Sequence, residues 1–262
     1  MMRAIAISGG KGGTGKTTTA INLALALNYF EKKTIIIDCN VTTPNISLHF
    51  GTPILPVTLH DVLAEKKEIS EAIYSHETGT MVIPASISYE NLKNSNLSSL
   101  PKIIEELKSQ ADFIILDCAA GLDKEVKDTL KAANEILIVT NPELPAVTDA
   151  LKTIRLCQDL KRDILGIVVN KTNVKNKDMK IEAILDVLEK EIIGIIPEDK
   201  YIKEALAEKQ PVVYSYPKSA SAIQYKKLAA NILGIEYDEK LPKDINSGNI
   251  FDAILRFLNI KE

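Results

Sequence analysis

Near the N-terminus, a glycine-rich segment with two lysines reads G-K-G-G-T-G-K-T over residues 10–17. It follows an apolar run over residues 4–7 and precedes a helical pattern over residues 18–27. This order of strand, glycine loop and helix is the context of a phosphate-binding loop, and the spacing G-x-x-x-x-G-K-T is complete. Glycines let backbone N–H groups surround a phosphate, and the positive end of the following helix faces the same point. The sequence therefore predicts a phosphate site rather than an ordinary glycine-rich turn.

Two side chains of this loop have defined chemical roles. Lys16 can reach the β- and γ-phosphates of a nucleoside triphosphate, and the hydroxyl of Thr17 can ligate Mg²⁺. We therefore expect Mg²⁺ to accompany the nucleotide. The loop residues predicted to contact the nucleotide are Gly10, Lys11, Gly12, Gly13, Thr14, Gly15, Lys16, Thr17 and Thr18.

Lys11 is the unusual residue of this loop, because a chain does not need a second lysine to hold its own nucleotide. The segment K-G-G-T-G-K-T-T over residues 11–18 resembles the deviant Walker A motif of the MinD/ParA ATPases. The resemblance implies that Lys11 crosses a homodimer interface and contacts the ATP of the partner subunit. ATP would then stabilise the dimer, and the dimer would retain ATP. The alternative is an ordinary exposed lysine.

A second candidate loop, D-C-N-V-T-T-P-N over residues 38–45, follows a predicted strand. Asp38 ends that strand, where its carboxylate can reach Mg²⁺ directly or through water, although a turn-capping role is the alternative. In MinD-like proteins this loop is switch I and usually reads Asp-x-Asp, and the second Asp is thought to orient or activate the attacking water. In this chain Asn40 occupies that position.

Asn40 keeps the shape and hydrogen-bonding capacity of aspartate but has neither its charge nor its basicity. General-base assistance contributes about 10²–10⁴-fold to a rate. We therefore hypothesise that the chain binds ATP and dimerises but hydrolyses ATP slowly. A non-enzymatic, ATP-bound scaffold is a related reading. The alternative is that Asn40 is a harmless turn residue and the water is positioned elsewhere.

A third candidate loop begins where the apolar run over residues 113–116 ends at Asp117, which is a Walker B pattern. The carboxylate of Asp117 is predicted to support Mg²⁺ or its waters. The segment resembles the D-x-P-A-G switch II of the family, with Ala119 in place of the proline. We expect this exchange to loosen the turn and leave the chemistry in place.

Two later strand ends indicate which base is bound. The segment V-V-N-K-T-N over residues 168–173 is similar to the N-K-x-D of guanine pockets, but Asn173 is neutral and matches guanine poorly. In MinD-like ATPases an asparagine at the position of Asn170 meets the adenine edge, so adenine is favoured. Alternatively, the Asn170 side chain closes the end of the strand by forming hydrogen bonds with the backbone. The I-P-E-D segment over residues 196–199 resembles the family's adenine-pocket wall, which implicates Pro197.

These residues lie at the ends of apolar strands that alternate with helical patterns. Strands are predicted over residues 3–8, 34–38, 80–83, 113–117, 136–140, 164–170 and 192–196, and helices over 17–30, 101–109, 123–133, 145–160, 179–190 and 219–232. Such alternation predicts an α/β fold with a doubly wound, mostly parallel sheet and helices on both faces, as in P-loop NTPases. Right-handed crossovers place the ends of the strands along one edge, where ligands bind. We assign residues 1–237 to this domain.

Composition limits the function classes. The chain has 262 residues, a formal net charge of −3 and a pI of about 5.8, so no overall basic field attracts nucleic acid. Its three cysteines are widely scattered and form no C-x-x-C, which argues against a metal cluster within one chain and fits a reducing cytosol. We expect a cytoplasmic protein, because the N-terminus has no signal-peptide pattern and no apolar run approaches 18 residues.

The last 25 residues are predicted to form a polar linker, 238–248, and a short amphipathic helix, 249–262. In that helix Ile250, Ile254 and Leu258 recur every fourth residue. MinD proteins end in a helix that lies on the membrane, so the resemblance implies peripheral contact with the inner face of the cell membrane. The tail carries few basic residues, so its attraction to anionic lipid is small. Packing on the domain, on its dimer mate or on a protein partner remains an alternative.

The resemblance covers nearly the whole chain, including residues 57–63 and 139–143, and is closest to archaeal MinD. It implies a role in placing the cell-division site or other polar machinery, together with an unknown regulatory protein. A ParA-like DNA-partition ATPase is one alternative, supported by a cluster of lysines and arginine over residues 161–180, although most such clusters are solvated surface. An iron–sulfur carrier or nitrogenase-type reductase is another, but such proteins need paired cysteines near a dimer axis, and Cys118, directly after Asp117, is not an obvious equivalent.

Overall fold

The computed structural model describes residues 2–52, 54–88, 96–173 and 178–241. Its strands and helices, in chain order, are β1 (Arg3–Ser8), α1 (Lys16–Tyr29), β2 (Thr34–Cys39), α2 (Ile46–His49), α3 (Leu59–Leu63), β3 (Tyr74–Ser75), β4 (Met81–Ile83), α4 (Leu100–Leu107), β5 (Phe113–Cys118), α5 (Lys124–Ala132), β6 (Glu135–Thr140), α6 (Leu144–Asp159), β7 (Asp163–Thr172), α7 (Ile181–Leu188), β8 (Ile192–Pro197), α8 (Lys200–Ala207), α9 (Val212–Ser215) and α10 (Ala220–Leu233).

Within these residues, eight strands form one sheet in the order β3-β4-β2-β5-β1-β6-β7-β8. The short β3 pairs with β4 antiparallel, and every other neighbouring pair is parallel. The predicted fold class is therefore confirmed. Because the strands are parallel, the loops that follow β1, β2, β5, β7 and β8 all meet at one edge of the sheet.

Helices cover both faces of the sheet, and each strand supplies side chains to two apolar cores. Ile5 and Ile7 of β1 join the core under α1 and α10, whereas Ala4 and Ala6 join the core on the opposite face. Side chains that alternate in this way, with both faces buried, explain why the strands read as continuous apolar runs. α1 is buried along most of its length because it lies between the sheet and α10.

All the strands and helices predicted within the described residues are present, with bounds that differ by one or two residues at most. The sequence patterns did not predict β3 or the short helices α2, α3, α8 and α9. β3, α2, α3 and α9 are too short to show a hydrophobic period, whereas α8 has eight residues with an i, i+4 apolar pair and a local cap at its start. At α8, for example, Asp199 Oδ1 accepts a hydrogen bond from the Tyr201 amide at 3.0 Å.

Beyond α10 the chain stays on the domain as far as it is described. Tyr237 packs edge-on against Phe30 at the end of α1, and Glu239 accepts a 2.6 Å hydrogen bond from Lys226. The predicted boundary after residue 237 thus falls in a packed segment and stays a prediction, and the predicted helix over residues 249–262 lies outside the described residues. In the part of the chain that is described, no helix is both long enough and apolar enough to cross a bilayer.

Candidate nucleotide-binding site

The loops at the strand ends enclose one cleft of about 590 Å³. Most of the predicted nucleotide contacts line it, together with residues of α2 and α8. The lining residues are Gly12, Gly13, Gly15, Lys16, Thr17, Thr18, Asn40, Thr43, Asn45, His49, Cys118, Ala120, Asn170, Lys171, Pro197, Glu198, Asp199, Ile202, Lys203 and Leu206.

The glycine loop between β1 and α1 has a backbone that only glycine adopts freely at two points. Gly13 and Gly15 have φ values of +80° and +93°. A Cβ on Gly15 would lie 2.2 Å from Asn170 Nδ2, and a Cβ on Gly10 would lie 2.8 Å from the Asp149 carbonyl of α6. The glycines are therefore required both by the turn and by the close approach of β7 and α6.

Side chains hold the carbonyl groups of this loop. Asn170 Nδ2 donates to Thr14 O at 2.8 Å, and Lys16 Nζ donates to Lys11 O at 3.2 Å. Lys16 is buried, and this burial lowers its pKa while the nearby Asp117 opposes the shift. The Asn170 side chain thus forms a hydrogen bond with the backbone, which is the kind of contact named above as its alternative role. Its predicted contact with adenine stays a prediction.

Lys11 lies in the glycine loop beside Gly12, which lines the cleft, but Lys11 is not itself one of the lining residues. Its ammonium group is 3.1 Å from Glu143 Oε2 at the start of α6 in the same chain, and the Lys11 side chain is 40% exposed. Ion pairs this exposed contribute little to stability. Lys11 is therefore held loosely, and the predicted contact with a second subunit remains a prediction.

Two carboxylates lie side by side beneath the loop, because Asp38 of β2 is in register with Asp117 of β5. Asp38 accepts hydrogen bonds from the backbone of Asn40, Asn45 and Ile46 at 3.1–3.2 Å. Both oxygens of Asp117 are buried without a hydrogen-bond partner, although the Thr17 hydroxyl lies close enough to lower the carboxyl pKa. The Thr17 hydroxyl thus approaches the Asp117 carboxylate without forming a hydrogen bond.

The electrostatics of this pair fit a divalent cation. Burial raises the pKa of Asp117 to about 7, against the opposing influence of Thr17 and Lys16. Burial, and then repulsion by Asp117, also raises the pKa of Asp38 well above its usual range. Buried oxygens that lack a partner, beside a threonine hydroxyl, are the hard donors that Mg²⁺ prefers. The predicted metal residues Thr17, Asp38 and Asp117 are thus brought to one place.

Asn40 closes the loop that follows β2. Its Oδ1 accepts from the Thr43 hydroxyl at 2.9 Å and from the Thr43 amide at 3.3 Å, and its Nδ2 donates to Thr43 O at 2.5 Å. Aspartate could not make the last of these bonds, because a carboxylate only accepts. The amide of Asn40 therefore has a structural use in addition to its position in the cleft.

The loops after β2 and β5 are tied to their surroundings by specific contacts. Glu125 of α5 accepts from the Thr42 amide at 3.2 Å and from the Thr42 hydroxyl at 2.8 Å. The Gly121 amide donates to Gly10 O at 2.9 Å, and Gly121 has a φ of +90°. The loop after β5 thus contacts the glycine loop, whereas the loop after β2 is attached to α5.

Pro197 lines the cleft, and its predicted place in the adenine-pocket wall stays a prediction; several other lining residues were missed by the sequence analysis. Ile202, Lys203 and Leu206 of α8 and His49 of α2 also line it. The i, i+4 spacing of Ile202 and Leu206 after the I-P-E-D segment was the available signal. His49 had none, because its place depends on the path of the loop after β2. Burial lowers the pKa of His49, which favours the neutral imidazole.

Two protein-family models match the sequence of this chain. A family model described as AAA domain matches residues 2–167. A second model, of 4Fe-4S iron sulfur cluster binding proteins of the NifH/frxC family, matches residues 112–259. All three cysteines are buried in the core, and burial raises the pKa of each thiol. Among the described residues, no group of three or more His, Cys, Asp and Glu side chains could hold a metal ion.

Individual relatives extend over almost the whole chain. An uncharacterised ATP-binding protein of Methanocaldococcus jannaschii is 38% identical over 93% of this chain and 92% of its own length. The cell division ATPase MinD of Pyrococcus furiosus has a TM-score of 0.86 at 37% identity, over 89% of this chain and 99% of that one. The septum site-determining protein MinD of Pyrococcus horikoshii, complexed with Mg-ADP, has a TM-score of 0.85 at 35% identity, over 88% and 96%.

Proposed function

We propose that this chain, which belongs to the MinD/ParA family of P-loop ATPases, is an ATP-dependent dimerising switch. In this role it would position cell-division or other polar machinery. The observation that carries the proposal is the cleft around the glycine loop, together with two buried carboxylates in register on neighbouring strands and Lys11 paired with Glu143 within the same chain. The Mg-ADP complex of the Pyrococcus horikoshii protein supports ATP and Mg²⁺ as the ligands.

The described contacts suggest how ATP would be bound. Lys16 donates to the loop carbonyl of Lys11, and we expect it to exchange that contact for the β- and γ-phosphates. Thr17, Asp38 and Asp117 would hold Mg²⁺, which when bound offsets the repulsion between the carboxylates and polarises the triphosphate. Both aspartates are fully buried, so the charge that Mg²⁺ would offset there is shielded from bulk water.

Dimerisation would follow from Lys11. To reach a partner's nucleotide, its ammonium group must leave Glu143, and an exposed ion pair costs about 0–1 kcal/mol to break. Contact with a triphosphate that is buried between two subunits would exceed this cost, because charge-assisted hydrogen bonds are stronger in a dry interface. ATP would therefore close the dimer, and hydrolysis would open it.

Slow hydrolysis is the second part of the proposal. Asn40 has no basicity and uses its amide to close its own loop through Thr43. A water molecule activated at this position would lack a general base. The ATP-bound dimer would then be long-lived, and in the limit the protein would act as an ATP-stabilised scaffold.

Light scattering after size-exclusion chromatography tests the dimer. We expect monomers without nucleotide or with ADP, and dimers with saturating ATP and Mg²⁺. The Lys11→Gln variant should bind ATP yet stay monomeric, whereas Lys33→Gln, which removes an exposed charge at the opposite edge of the sheet, should dimerise normally. Monomers of the unaltered chain under ATP, together with an unchanged association state in Lys11→Gln, would refute the proposal.

Localisation is proposed on the sequence pattern of residues 249–262. We expect a cytoplasmic protein that contacts the membrane surface through this segment when two copies are joined in a dimer. Co-sedimentation with anionic lipid vesicles should require both ATP and residues 249–262. Equal sedimentation of the full chain and a chain lacking those residues would remove the membrane contact and leave packing on the domain or a protein partner as the role of the tail.

A further inference from the structure

The end of β7 carries an irregularity beside the glycine loop. Asn170 pairs with Ile196 of β8, and Thr172 pairs with the next residue, Pro197, so Lys171 has no counterpart in β8. Lys171 is thus the extra residue of a β-bulge. Its φ of +56° lies in the left-handed region, which bulges of this kind usually fill with glycine.

A lysine in this conformation is strained, and such strain is retained where the surrounding structure or a function requires it. The bulge directs the Lys171 side chain toward the glycine loop, where its Nζ donates to Gly13 O at 2.7 Å. Lys171 also lines the cleft. The backbone irregularity and the side-chain contact therefore lead to the same place.

This contact sets the direction of a peptide plane. The peptide bonds of the described chain are trans, so the C=O and N–H groups of one plane point opposite ways. Lys171 holds the C=O of Gly13, and the neighbouring Asn170 holds the C=O of Thr14. The N–H groups of Thr14 and Gly15 must then face away from β7, as two successive donors of a phosphate-binding loop.

We propose that Lys171 is a positioning residue of the nucleotide site, which fixes the Gly13–Thr14 peptide through Gly13 O so that the loop is preorganised for phosphate. The proposal rests on the nucleotide binding proposed above. Lys16 cannot replace Lys171 in this role, because Lys16 is expected to leave its own loop carbonyl for the phosphates. Lys171 is expected to keep its contact with Gly13 O when nucleotide binds.

The test compares three variants at this position with a matched control. Lys171→Met keeps the aliphatic stem and removes the donor, Lys171→Arg restores a donor, and Lys171→Gly relieves the positive φ. The control is Lys161→Met, because Lys161 is also an exposed lysine with a positive φ, +52°, but lies after α6, away from the cleft. Titration calorimetry with ATP and ADP in the presence of Mg²⁺ gives the affinities.

We expect Lys171→Met to weaken both nucleotides about tenfold, Lys171→Arg to recover most of that loss, and Lys161→Met to bind normally. Lys171→Gly should melt at an equal or higher temperature than the unaltered chain while binding as weakly as Lys171→Met. A purely structural role would instead move stability and affinity together. At saturating ATP, the single-turnover rate should stay within about twofold, because positioning acts on binding.

Salt distinguishes positioning from simple attraction. At about 1 M salt the Debye length is only about 3 Å, so charges are strongly screened. If Lys171→Met loses ATP affinity through charge alone, that loss should nearly disappear at this salt concentration. If it loses affinity because the hydrogen bond to Gly13 O is gone, the loss should persist. If the unaltered chain binds ATP and Lys171→Met binds equally well, the positioning role is wrong and the proposed function stands. If the unaltered chain binds neither nucleotide, both are wrong.

Discussion

At the scale of single residues, Asn40 is the position at which the proposed slow hydrolysis can be tested apart from nucleotide binding. The substitution Asn40→Asp supplies a carboxylate to the cleft and loses the hydrogen bond that Nδ2 donates to Thr43 O. We expect a single-turnover ATP hydrolysis rate about 10²-fold higher or more, because a general base contributes about 10²–10⁴-fold. Rapid mixing with labelled ATP measures this rate.

The neighbouring Asn45→Asp is the matched control. Asn45 also lines the cleft, and its Nδ2 also donates to Thr43 O, at 2.8 Å. The substitution Asn45→Asp places the same negative charge in the same loop, at a position to which no role in activating water is assigned. Equal rates for Asn40→Asp and the unaltered chain, or an equal acceleration by Asn45→Asp, would show that slow hydrolysis does not arise from Asn40.

Asp117 links protonation to stability. Its pKa in the folded chain, about 7, lies above the ordinary value of 3.8. The folded state therefore binds the proton more tightly, and this contribution to the free energy of unfolding is full below about pH 4 and lost as the pH rises through 7. The raised pKa of Asp38 acts in the same direction.

For the nucleotide-free protein we thus expect the free energy of unfolding to fall between about pH 4 and 7, by at most about 1.4 kcal/mol per pH unit for one group. Asp117→Asn should be more stable than the unaltered chain above pH 7 and should lose most of this slope. Urea denaturation over the pH series measures both quantities. A slope that is unchanged in Asp117→Asn would contradict the assignment.

At the scale of elements, the sequence was informative where burial alone determines the structure. The strands around Asp38 and Asp117 are buried on both faces, so their apolar runs mark them and their acidic ends stand out. The glycine loop was recognisable because its spacing is fixed by phosphate. The meeting of these loops at one edge follows from the parallel crossovers, whereas the order of the strands was not predicted.

Sequence reasoning failed where a contact depends on register or on a loop path. The bulge at Lys171 arises from the pairing of β7 with β8, and a one-residue shift leaves no mark in the composition. The pairing of Lys11 with Glu143 joins residues that are 132 positions apart. His49 reaches the cleft only because Asp38 accepts hydrogen bonds from the start of α2, which sets the path of the loop.

The contact between Thr42 and Glu125 gives a prediction about an element. Glu125 of α5 accepts two hydrogen bonds from Thr42, and removing them with Glu125→Ala should free the loop over residues 40–45. We expect its amide hydrogen exchange to accelerate about two- to tenfold, because hydrogen bonds at exposed sites contribute about 0.5–1.5 kcal/mol. Mass spectrometry of peptides that cover the loop measures the exchange.

Asp128→Asn on the same helix is the control, because it removes an exposed ion pair with Lys124 and does not contact the loop. Its exchange over residues 40–45 should match that of the unaltered chain. Unchanged exchange in Glu125→Ala would mean that the loop is held by Asp38 and Asn40 alone.

At the scale of the whole molecule, the two ends of α1 connect the cleft with the C-terminal segment. α1 starts in the glycine loop at one edge of the sheet and ends at Tyr29, at the opposite edge. There Lys226 of α10, with a side chain only 4% exposed, pairs with Glu239 and lies 5.1 Å from the ring centre of Tyr29 and 5.8 Å from that of Tyr237. The segment that leads to the tail is thus anchored far from the nucleotide.

This separation predicts the effect of Lys226→Met. The substitution keeps most of the side-chain volume but removes the ion pair and both cation–π contacts, so residues 235–241 should lose protection from hydrogen exchange. The free energy of unfolding should fall by about 1–2 kcal/mol, since partly buried cation–π contacts and an ion pair are lost together. ATP affinity should stay within about twofold, because the cleft lies at the other edge.

Lys227→Met removes a neighbouring charge from the same helix and should leave both the exchange and the affinity unchanged. If Lys226→Met weakened ATP binding as strongly as it loosened residues 235–241, α1 would transmit strain between the two edges of the sheet. ATP would then act on the C-terminal segment within one subunit, and any membrane contact would not need the dimer. If neither quantity changed, Tyr237 would be held by its packing against Phe30 and Tyr29 alone.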